Sequence, residues 1–441
     1  MNIAESAALA LAGRESGWLE AASFEEADLV LINTCSVRVT AEQRVFGRLA
    51  QYMALKKKRP FTLVVAGCMA ERLGEKLKKD FAVDYVMGTS ARSLFPLILE
   101  SVEKGGAFTG NLRLADTEKP VFSFSAFHHE SSSPFRSFVP IMHGCNNFCS
   151  YCIVPYVRGR ELSRDPRSIL EEIRLLGRHG VREITLLGQN VNSFRWKDGE
   201  DGSLDFPGLL RLIASELGDS SSGINNTMEG NGVKWVRFLS SHPKDLSDEL
   251  IEVLAENPVF CRHIHLCVQH GSNRILSGMN RRYTREQYLD LVRRLRSAMP
   301  DLSLSTDILV GFPGETEEDL EATLALMEEV KFLYAYMYHY NPREGTAAFS
   351  LPDRISAEVK RERLSKVIAL QKRHTNELLK SQISKKVTIL IEGISRKNAD
   401  ELISRTERDE MVALPGSGSL LGSFAQVTLS SLRGNTFRSK L

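Results

Sequence analysis

Six short apolar segments, each of strand length, divide the middle of the chain at regular intervals. They span residues 137–142, 183–187, 234–239, 263–268, 302–310 and 334–340, and each of the first five precedes a stretch with helical periodicity. Asp165 and Pro166 are typical of the cap and first turn of the first such helix. Repeated strand–helix units predict a parallel sheet, and six of them make three quarters of a (β/α)8 barrel. Residues 135–370 are therefore predicted to form a partial (β/α)6 barrel, open enough for a large substrate.

The loops that follow the predicted strands are unusually polar. In barrels of this kind the chemistry gathers in the loops after the strands, so these loops are predicted to converge on one binding mouth. Capping of the strand ends is the structural alternative for each polar residue. The candidate binding residues are Gly188, Gln189, Asn190, Ser241, Gln269 and Asp307.

Three cysteines, Cys145, Cys149 and Cys152, follow the first predicted strand with the spacing Cys-x3-Cys-x2-Cys. Three thiolates on one loop can ligate three irons of a 4Fe-4S cluster and leave the fourth iron without a protein ligand. Structural zinc is the alternative, but it favours two separated cysteine pairs that close a tetrahedron. The spacing therefore predicts a cluster with an open iron, where chemistry can occur.

The first 105 residues alternate short apolar runs, at 29–32, 63–66 and 85–87, with helical patterns, which predicts another parallel α/β sheet. Cys35 and Cys68 stand at the ends of the first two runs. Each alone would be interpreted as a buried, small apolar residue. Because adjacent parallel strand ends bring such residues together, the pair predicts a second metal cluster.

Residues 371–441 change to strand-length runs at 387–391, 402–406, 411–414 and 425–429, which predicts a small antiparallel β-barrel. This region has twelve Lys or Arg against seven Asp or Glu. Cationic β-barrels often hold polynucleotide backbones, although a solvated surface would explain the same charge. Residues 106–134 are predicted to be a linker, and the Ser, Asn and Gly-rich residues 218–232 a surface insert.

Two further features are weighed against structural roles. Cys261 and Cys267 flank His263 and His265 and could form a third metal site, but alternation along a strand favours core packing. The basic run at residues 56–59 could contact RNA, although such runs are more often solvated.

Length and composition indicate a multidomain globular enzyme, with 441 residues, 42% hydrophobic content and a formal net charge of +2. No apolar run reaches the roughly 18 residues that span a bilayer, and the N-terminus lacks a signal-peptide pattern. No membrane partner is expected, and the expected location is the cytoplasm. Seven cysteines, five of them in motifs, argue against a disulfide framework.

Two motifs carry a resemblance that extends over almost the whole chain. The sequence GCNNFCSYCIVPYVRGRE at 144–161 and the sequence LGQNVNS at 187–193 closely match methylthiotransferases of the MiaB type, and the cysteine spacing resembles the radical S-adenosylmethionine (SAM) signature. The resemblance implies an N-terminal methylthiotransferase domain at 1–105, a radical SAM core at 135–370 and a C-terminal TRAM domain at 371–441 that binds tRNA.

The implied reaction inserts a methylthio group at carbon 2 of N6-isopentenyladenosine, next to the anticodon of tRNA. The cluster on Cys145, Cys149 and Cys152 would cleave SAM to a 5′-deoxyadenosyl radical. An auxiliary 4Fe-4S cluster, including Cys35 and Cys68, would hold a sulfide that a second SAM methylates. The six candidate binding residues would contact SAM, and Arg158 and Arg160 would contact a phosphate or carboxylate.

The implied partners are the anticodon stem-loop of tRNA, a reducing electron donor, and a sulfur or Fe-S cluster donor. A monomer is expected. One departure concerns the auxiliary cluster, because the family supplies three cysteines, the first in a Gly-Cys-Gln-Met-Asn pattern, and this chain begins inside it at Met1. A translation start upstream is favoured, since a lost strand would expose apolar surface. The alternative is a short chain with a labile or absent second cluster.

Other functions remain open. Related enzymes modify threonylcarbamoyl-adenosine in tRNA or an aspartate of a ribosomal protein, and a further alternative is an RNA-binding Fe-S protein that cleaves SAM without sulfur insertion. The triplet Asn146-Asn147-Phe148 favours the isopentenyl substrate by resemblance to that subgroup.

Overall fold

The structure is a computed structural model that describes residues 1–36, 39–105, 133–198, 202–219, 232–352 and 355–440. The chain divides into two compact units. The first comprises Met1–His128, His143–Asn146 and Cys152–Glu161, and the second comprises His129–Met142, Asn147–Tyr151 and Leu162–Leu441. The predicted linker lies outside the described residues except for positions 133 and 134, and so does most of the predicted insert.

A three-stranded parallel sheet forms the centre of the first unit, as the alternating pattern predicted. Its main elements are α1 (Asn2–Glu15), β1 (Leu29–Thr34), α2 (Val39–Lys56), β2 (Thr62–Gly67), α3 (Cys68–Phe81), β3 (Tyr85–Met87) and α4 (Phe95–Glu103). The strands pair in the order β1-β2-β3. Because side chains alternate along β2, Leu63 and Val65 pack with α2 and α3, while Val64 and Ala66 pack with α1 and α4.

Six parallel strands, separated by helices, follow the first sheet along the chain. Between Arg136 and Lys380 the elements are β4 (Arg136–Pro140), β5 (Met142–His143), α5 (Val154–Arg158), β6 (Leu162–Ser163), α6 (Pro166–Arg178), β7 (Glu183–Leu187), β8 (Arg195–Asp198), β9 (Gly202–Asp205), α7 (Phe206–Asp219), β10 (Trp235–Phe238), α8 (Asp248–Glu256), β11 (His263–His265), α9 (Asn273–Gly278), α10 (Arg285–Ala298), β12 (Ser303–Val310), α11 (Glu317–Val330), β13 (Tyr334–His339) and α12 (Ala357–Lys380).

The six strands of the predicted partial barrel lie side by side in chain order. β4, β7 and β10 pair in parallel, and so do β11, β12 and β13. Isolated bridges from Val236 to Phe260 and from Ser241 to Leu266 connect the two groups. The (β/α)6 prediction is therefore confirmed.

Local signals in the sequence set the helix starts. The Asp165 side chain accepts a hydrogen bond from the Arg167 N–H at the start of α6, as predicted. Capping boxes of Thr284 with α10 and of Thr316 with α11 do the same for two later helices. Each cap fixes where the helix leaves the loop, so the loops at the carboxyl ends of the strands have defined lengths.

The C-terminal region is a six-stranded sheet. Its strands are β14 (Lys386–Ser395), β15 (Asn398–Thr406), β16 (Met411–Pro415), β17 (Phe424–Thr428), β18 (Ser431–Arg433) and β19 (Thr436–Arg438). They pair in the order β17-β14-β15-β16-β19-β18, and only the β16–β19 pair is parallel. The four predicted strands are present, and β18 and β19 were not predicted.

The turn between β15 and β16 lies against the barrel strands of the same unit. Arg237 on β10 pairs with Glu183 on β7 (2.9 Å), and both side chains are buried. Three barrel side chains donate hydrogen bonds into the turn: Arg237 to the carbonyl oxygens of Thr406 and Glu407 (2.8 Å each), Ser303 to that of Arg408 (3.0 Å), and Tyr334 to Asp409 Oδ2 (2.8 Å). Buried polar groups of the barrel are thus satisfied by the C-terminal sheet.

Within the described ranges, no helix combines the length and the apolar content that crossing a membrane requires.

Candidate active site

The predicted cluster loop begins at a position that requires glycine. Gly144 has φ +77°, and a Cβ there would lie 2.0 Å from the carbonyl oxygen of Arg160. The next residue, Cys145, is buried and donates its N–H to the carbonyl oxygen of Gly159 (3.1 Å). Cys152, in the same unit, is half-buried. The close approach of the two backbone segments therefore fixes where Cys145 lies.

The central cysteine of the motif, Cys149, belongs to the second unit, where Arg281 contacts its sulfur. Nη1 of Arg281 lies 3.4 Å from Cys149 Sγ, and Nη2 donates to the carbonyl oxygen of Cys267 (2.6 Å). The neighbouring Ser150 N–H donates to the carbonyl oxygen of Met279 (3.0 Å). The Arg281 guanidinium and the backbone of Met279 therefore fix the position of the Cys149 loop.

Two of the predicted binding side chains carry buried polar atoms without a hydrogen-bond partner among the described residues. These atoms are Gln189 Oε1 and Ser241 Oγ. Burying such a group without a partner costs about 1–3 kcal/mol, so each position suits a ligand that supplies the missing bond.

Backbone geometry is constrained at two further predicted positions. Gln269 has φ +69°, in the left-handed region, where strain is often stored at functional sites. A Cβ on Gly188 would lie 2.5 Å from Met142 Cγ, so no side chain fits there. Both residues lie in loops that follow barrel strands.

Three predicted positions have protein partners. Gln269 Nε2 donates to Asp307 Oδ2 (3.5 Å). Asn190 Nδ2 donates to Asp245 Oδ2 (2.7 Å), and Asn190 Oδ1 accepts from the N–H of His242 (3.2 Å). Asp307 Oδ2 lies 3.6 Å from Nε2 of His265. These contacts fit the alternative interpretation, in which the polar residues cap the strand ends.

Cys261 and Cys267, which lie on either side of β11, differ in their surroundings. Cys261 packs in an apolar cluster with Trp235 and Leu390, so core packing is confirmed for it. Cys267 is half-buried and lies with His265 and Asp307, where one potential ligand atom from each side chain is within 4.8 Å of the other two. Core packing therefore stays a prediction for Cys267.

Cys35 and Cys68 follow two neighbouring strand ends in the first unit. Thr34, the last residue of β1, is in register with Gly67, the last residue of β2. Gly67 has φ +91°, and a Cβ there would lie 2.5 Å from the carbonyl oxygen of Thr34. The parallel register therefore brings the two cysteine positions to adjacent strand ends, as the sequence predicted.

A buried cluster of charges surrounds Cys68. Arg158 donates to both carboxylate oxygens of Glu5 (2.6 and 3.2 Å), and Arg92 lies 2.8 Å from the same carboxylate. Burial acts to raise the pKa of Glu5, but the two guanidinium groups hold this pKa far below its usual range. Burial raises the pKa of the Cys68 thiol, while Arg158, through its charge and a hydrogen bond, lowers it.

Glu5 and Arg92 were not predicted as site residues. Arg158 was predicted to contact a phosphate or a carboxylate, and Glu5 is such a carboxylate. The sequence near Glu5 shows only a helical N-terminus, so no local signal connects it to Arg158. In the basic run, Lys56 pairs with Asp84, and Arg59 donates to the carbonyl oxygen of Ala27 (2.5 Å). Those two charges therefore have structural roles.

Three family models match the chain. Residues 139–327 match the Radical SAM superfamily, residues 1–88 match the Uncharacterized protein family UPF0004, and residues 380–441 match the TRAM domain. A solved structure, that of the radical SAM methyltransferase TsrM from Kitasatospora setae with cobalamin and a 4Fe-4S cluster bound, is similar with a TM-score of 0.60 and 16% identity, covering 79% of this chain and 73% of that one. This likeness shows the fold alone.

Curated relatives match from end to end. The chain is 50% identical to the tRNA-2-methylthio-N(6)-dimethylallyladenosine synthase of Treponema denticola, with 100% of this chain and 97% of the relative covered. It is 48% identical to the synthase of Treponema pallidum (100% and 96% covered) and 42% identical to that of Bacteroides thetaiotaomicron (99% and 93% covered). The chain belongs to this family of tRNA-2-methylthio-N(6)-dimethylallyladenosine synthases, the MiaB-type methylthiotransferases of the radical SAM superfamily.

Proposed function

We propose that the protein inserts a methylthio group at carbon 2 of N6-isopentenyladenosine, next to the anticodon of tRNA. The observation that carries this proposal is the 50% identity, over the whole chain, to the synthase of Treponema denticola. The three domain matches, in the order expected for a methylthiotransferase, add support.

The donor set fits the cofactors of the family. Cys145, Cys149 and Cys152 offer three thiols for a 4Fe-4S cluster, and Arg281 offers a hydrogen bond to the sulfur of Cys149 (3.4 Å). When bound, the cluster supplies the electron that cleaves SAM to a 5′-deoxyadenosyl radical. A second bond, from Arg281 Nη2 to the carbonyl oxygen of Cys267 (2.6 Å), holds the guanidinium beside that sulfur.

Four strand-end positions are proposed to bind SAM. Gln189 and Ser241 offer buried oxygen atoms that lack partners among the described residues. Gly188 has no side chain and packs against Met142, and Gln269 lies on a strained backbone with its amide Nε2 3.5 Å from Asp307 Oδ2. Asn190 and Asp307 stay predicted SAM contacts, although each already has a protein partner.

A second 4Fe-4S cluster is proposed on Cys35 and Cys68. The parallel register of β1 and β2 supports it by bringing both cysteines to adjacent strand ends. Burial raises the pKa of the Cys68 thiol, and the neighbouring Arg158 guanidinium offsets part of that rise.

The C-terminal sheet is proposed to hold the tRNA around its anticodon stem-loop. Its excess of basic residues supports this role, and Arg433 and Lys440 are exposed. The reaction also calls for a reducing electron donor and for a donor of sulfur or of Fe-S clusters. We propose that the enzyme works in the cytoplasm, as a monomer.

Nucleoside analysis of treated tRNA tests the proposal. Anaerobically reconstituted enzyme is mixed with SAM, a strong reductant and tRNA that contains isopentenyladenosine, and the digested nucleosides are measured by mass spectrometry. We expect the 2-methylthio derivative, and none with Cys149→Ala. Product only from tRNA with threonylcarbamoyl-adenosine would select the related activity. Formation of 5′-deoxyadenosine with unchanged nucleosides would select SAM cleavage without sulfur insertion.

A further inference from the structure

We propose that His265, Cys267 and Asp307 form a zinc site with three protein ligands. One potential ligand atom from each residue lies within 4.8 Å of the other two, and His265 Nε2 is 3.6 Å from Asp307 Oδ2. Bonds of about 2.0–2.3 Å around a tetrahedral zinc ion put the ligand atoms roughly 3.3–3.8 Å apart. Small rotations of the side chains would therefore complete the site, which uses none of the cysteines proposed to hold iron.

The imidazole of His265 is already oriented as a metal ligand. Its Nδ1 shares a hydrogen bond with the Oγ of Ser305 (2.9 Å), so Nε2 faces the carboxylate of Asp307. Ser305 is fully buried on β12, in register with His265 on β11. Histidine ligands commonly use their second nitrogen in this way, because the outer hydrogen bond fixes the tautomer and the ring orientation.

A hydrogen-bonded relay explains the arrangement less well than a metal does. In a catalytic relay of thiol, imidazole and carboxylate, the two partners bind opposite nitrogens of the ring. Here the carboxylate faces Nε2, and Ser305 occupies Nδ1, the nitrogen that a thiol would need. The potential sulfur, nitrogen and oxygen ligand atoms instead lie within 4.8 Å of one another, near enough to share a single ion.

The charges and the chemistry of the donors favour zinc. A thiolate and a carboxylate together balance a divalent cation. The neighbouring Arg281 directs its guanidinium to the carbonyl oxygen of Cys267 (2.6 Å) and to the sulfur of Cys149. A mixed set of sulfur, nitrogen and oxygen suits Zn²⁺ and excludes Mg²⁺ and Ca²⁺, which take oxygen ligands.

Three protein ligands leave a fourth position on the ion. The Asp307 side chain is 28% exposed, so solvent reaches the group. Zinc with an open position binds exchangeable water or a substrate atom. The ligand class that this site would take is therefore water or a small sulfur anion such as hydrosulfide. Asp307 would then coordinate the zinc ion through Oδ2.

Zinc loading of the holoenzyme tests this proposal without relying on activity. Tag-free, anaerobically reconstituted enzyme is incubated with zinc chloride and desalted, and its zinc and iron are measured by mass spectrometry. We expect about one zinc per chain with unchanged iron. X-ray absorption at the zinc edge should show one sulfur at about 2.3 Å and the other ligands, nitrogen or oxygen, at about 2.0–2.1 Å.

Substitutions assign the bound zinc to this group. Cys267→Ser and His265→Gln, each checked for folding by circular dichroism, should lose the zinc and keep the iron. Ser305→Ala, checked for folding in the same way because its hydroxyl also contacts His263 Nε2 (2.9 Å), should weaken zinc binding by about 10–100-fold through loss of the hydrogen bond to His265. Cys261→Ser, which changes a thiol in an apolar cluster of the same unit, should retain the zinc.

Three results would overturn the proposal. They are wild-type holoenzyme that retains no zinc, zinc that stays bound in Cys267→Ser, and a coordination shell made only of sulfur, which would place the ion on the cysteines proposed for iron.

Discussion

Arg158 binds Glu5 through two hydrogen bonds, at 2.6 and 3.2 Å, although the two residues are 153 positions apart in the chain. Both side chains are buried in the first unit, and Arg92 lies against the same carboxylate. Arg158 also faces Cys68, so the ion pair orients a residue that is proposed to hold iron.

Glu5→Gln should destabilise the protein. It would leave the buried guanidinium groups of Arg158 and Arg92 without their counter-charge, and removing one partner of a buried pair costs on the order of 3 kcal/mol. Urea unfolding of the full chain measures the loss. Glu100→Gln, which removes an exposed partner of Lys104, is the matched control and should change nothing measurable. Equal stability of the two variants would contradict the role given to Glu5.

Arg281→Gln should make the reduction potential of the cluster proposed on the cysteine motif more negative, by on the order of 50 mV. The substitution removes a positive charge and a hydrogen bond from the sulfur of Cys149. A redox titration followed by electron paramagnetic resonance measures this change. Arg282→Gln alters the exposed neighbouring arginine and serves as the control. A potential that is the same in all three proteins would show that Arg281 does not act on the cluster.

Ser241→Ala should separate ligand binding from stability. The Ser241 hydroxyl has no partner among the described residues, so its removal should leave the free energy of unfolding unchanged or slightly higher. SAM affinity, measured by equilibrium dialysis, should fall about 3–10-fold. Ser168→Ala should do the opposite, because the Ser168 hydroxyl binds Arg164 and the carbonyl oxygen of Asp165. Unchanged SAM affinity in Ser241→Ala would remove Ser241 from the proposed site.

The contribution of Asp409 to stability should depend on pH. Burial acts to raise the pKa of Asp409, but Arg405 and His263 hold this pKa well below the ordinary value of 3.8. A carboxyl group with a lowered folded-state pKa stabilises the fold above its unfolded pKa, and this stabilisation is lost as the pH falls.

Asp409→Asn should therefore cost on the order of 3 kcal/mol near pH 7, and the difference from wild type should shrink below about pH 4. Unfolding of the cluster-free chain at pH 7 and pH 3.5 measures it. Asp400→Asn, at an exposed position of β15, is the control. A difference that grows on acidification would contradict the sign.

Neutralising Arg433 and Lys440 together should weaken tRNA binding in a salt-dependent way. Each lost phosphate contact makes the negative slope of log K against log salt less steep. The slope of the double variant should therefore be smaller in magnitude by about 1.5. Filter binding at several salt concentrations measures the slope. A double variant of the exposed Lys57 and Lys58 removes the same charge from the first unit for comparison. A larger loss in that variant would place the RNA contact there instead.

The sequence predicted the barrel strands well because buried parallel strands are continuous apolar runs. Glu183–Leu187 was predicted with the bounds that the structure has, and the start of α6 at Pro166 was predicted from its cap. The hairpin of β8 and β9 is polar, and β18 and β19 have three residues each, so periodicity gave no signal for them.

Site residues were predictable where the chemistry is local in the chain. The spacing of the three motif cysteines is such a case. Glu5 contacts Arg158 only through tertiary structure, which no single-sequence pattern contains. Cys267 lies between these extremes. Spacing by two on a strand places it on the same face as His265, but the approach of Asp307 depends on the pairing of β11 with β12.

The turn at residues 406–410 couples the stability of the barrel to that of the C-terminal sheet. Arg237 lies in the barrel with its guanidinium bound to carbonyl oxygens of that turn, and Arg136 is paired with Glu392 of β14. A chain truncated before Lys386 would leave Arg136 and Arg237 buried with only Glu183 as an acidic partner, so loss of the C-terminal sheet should also destabilise the barrel. The barrel and the C-terminal sheet should therefore unfold as one cooperative structure.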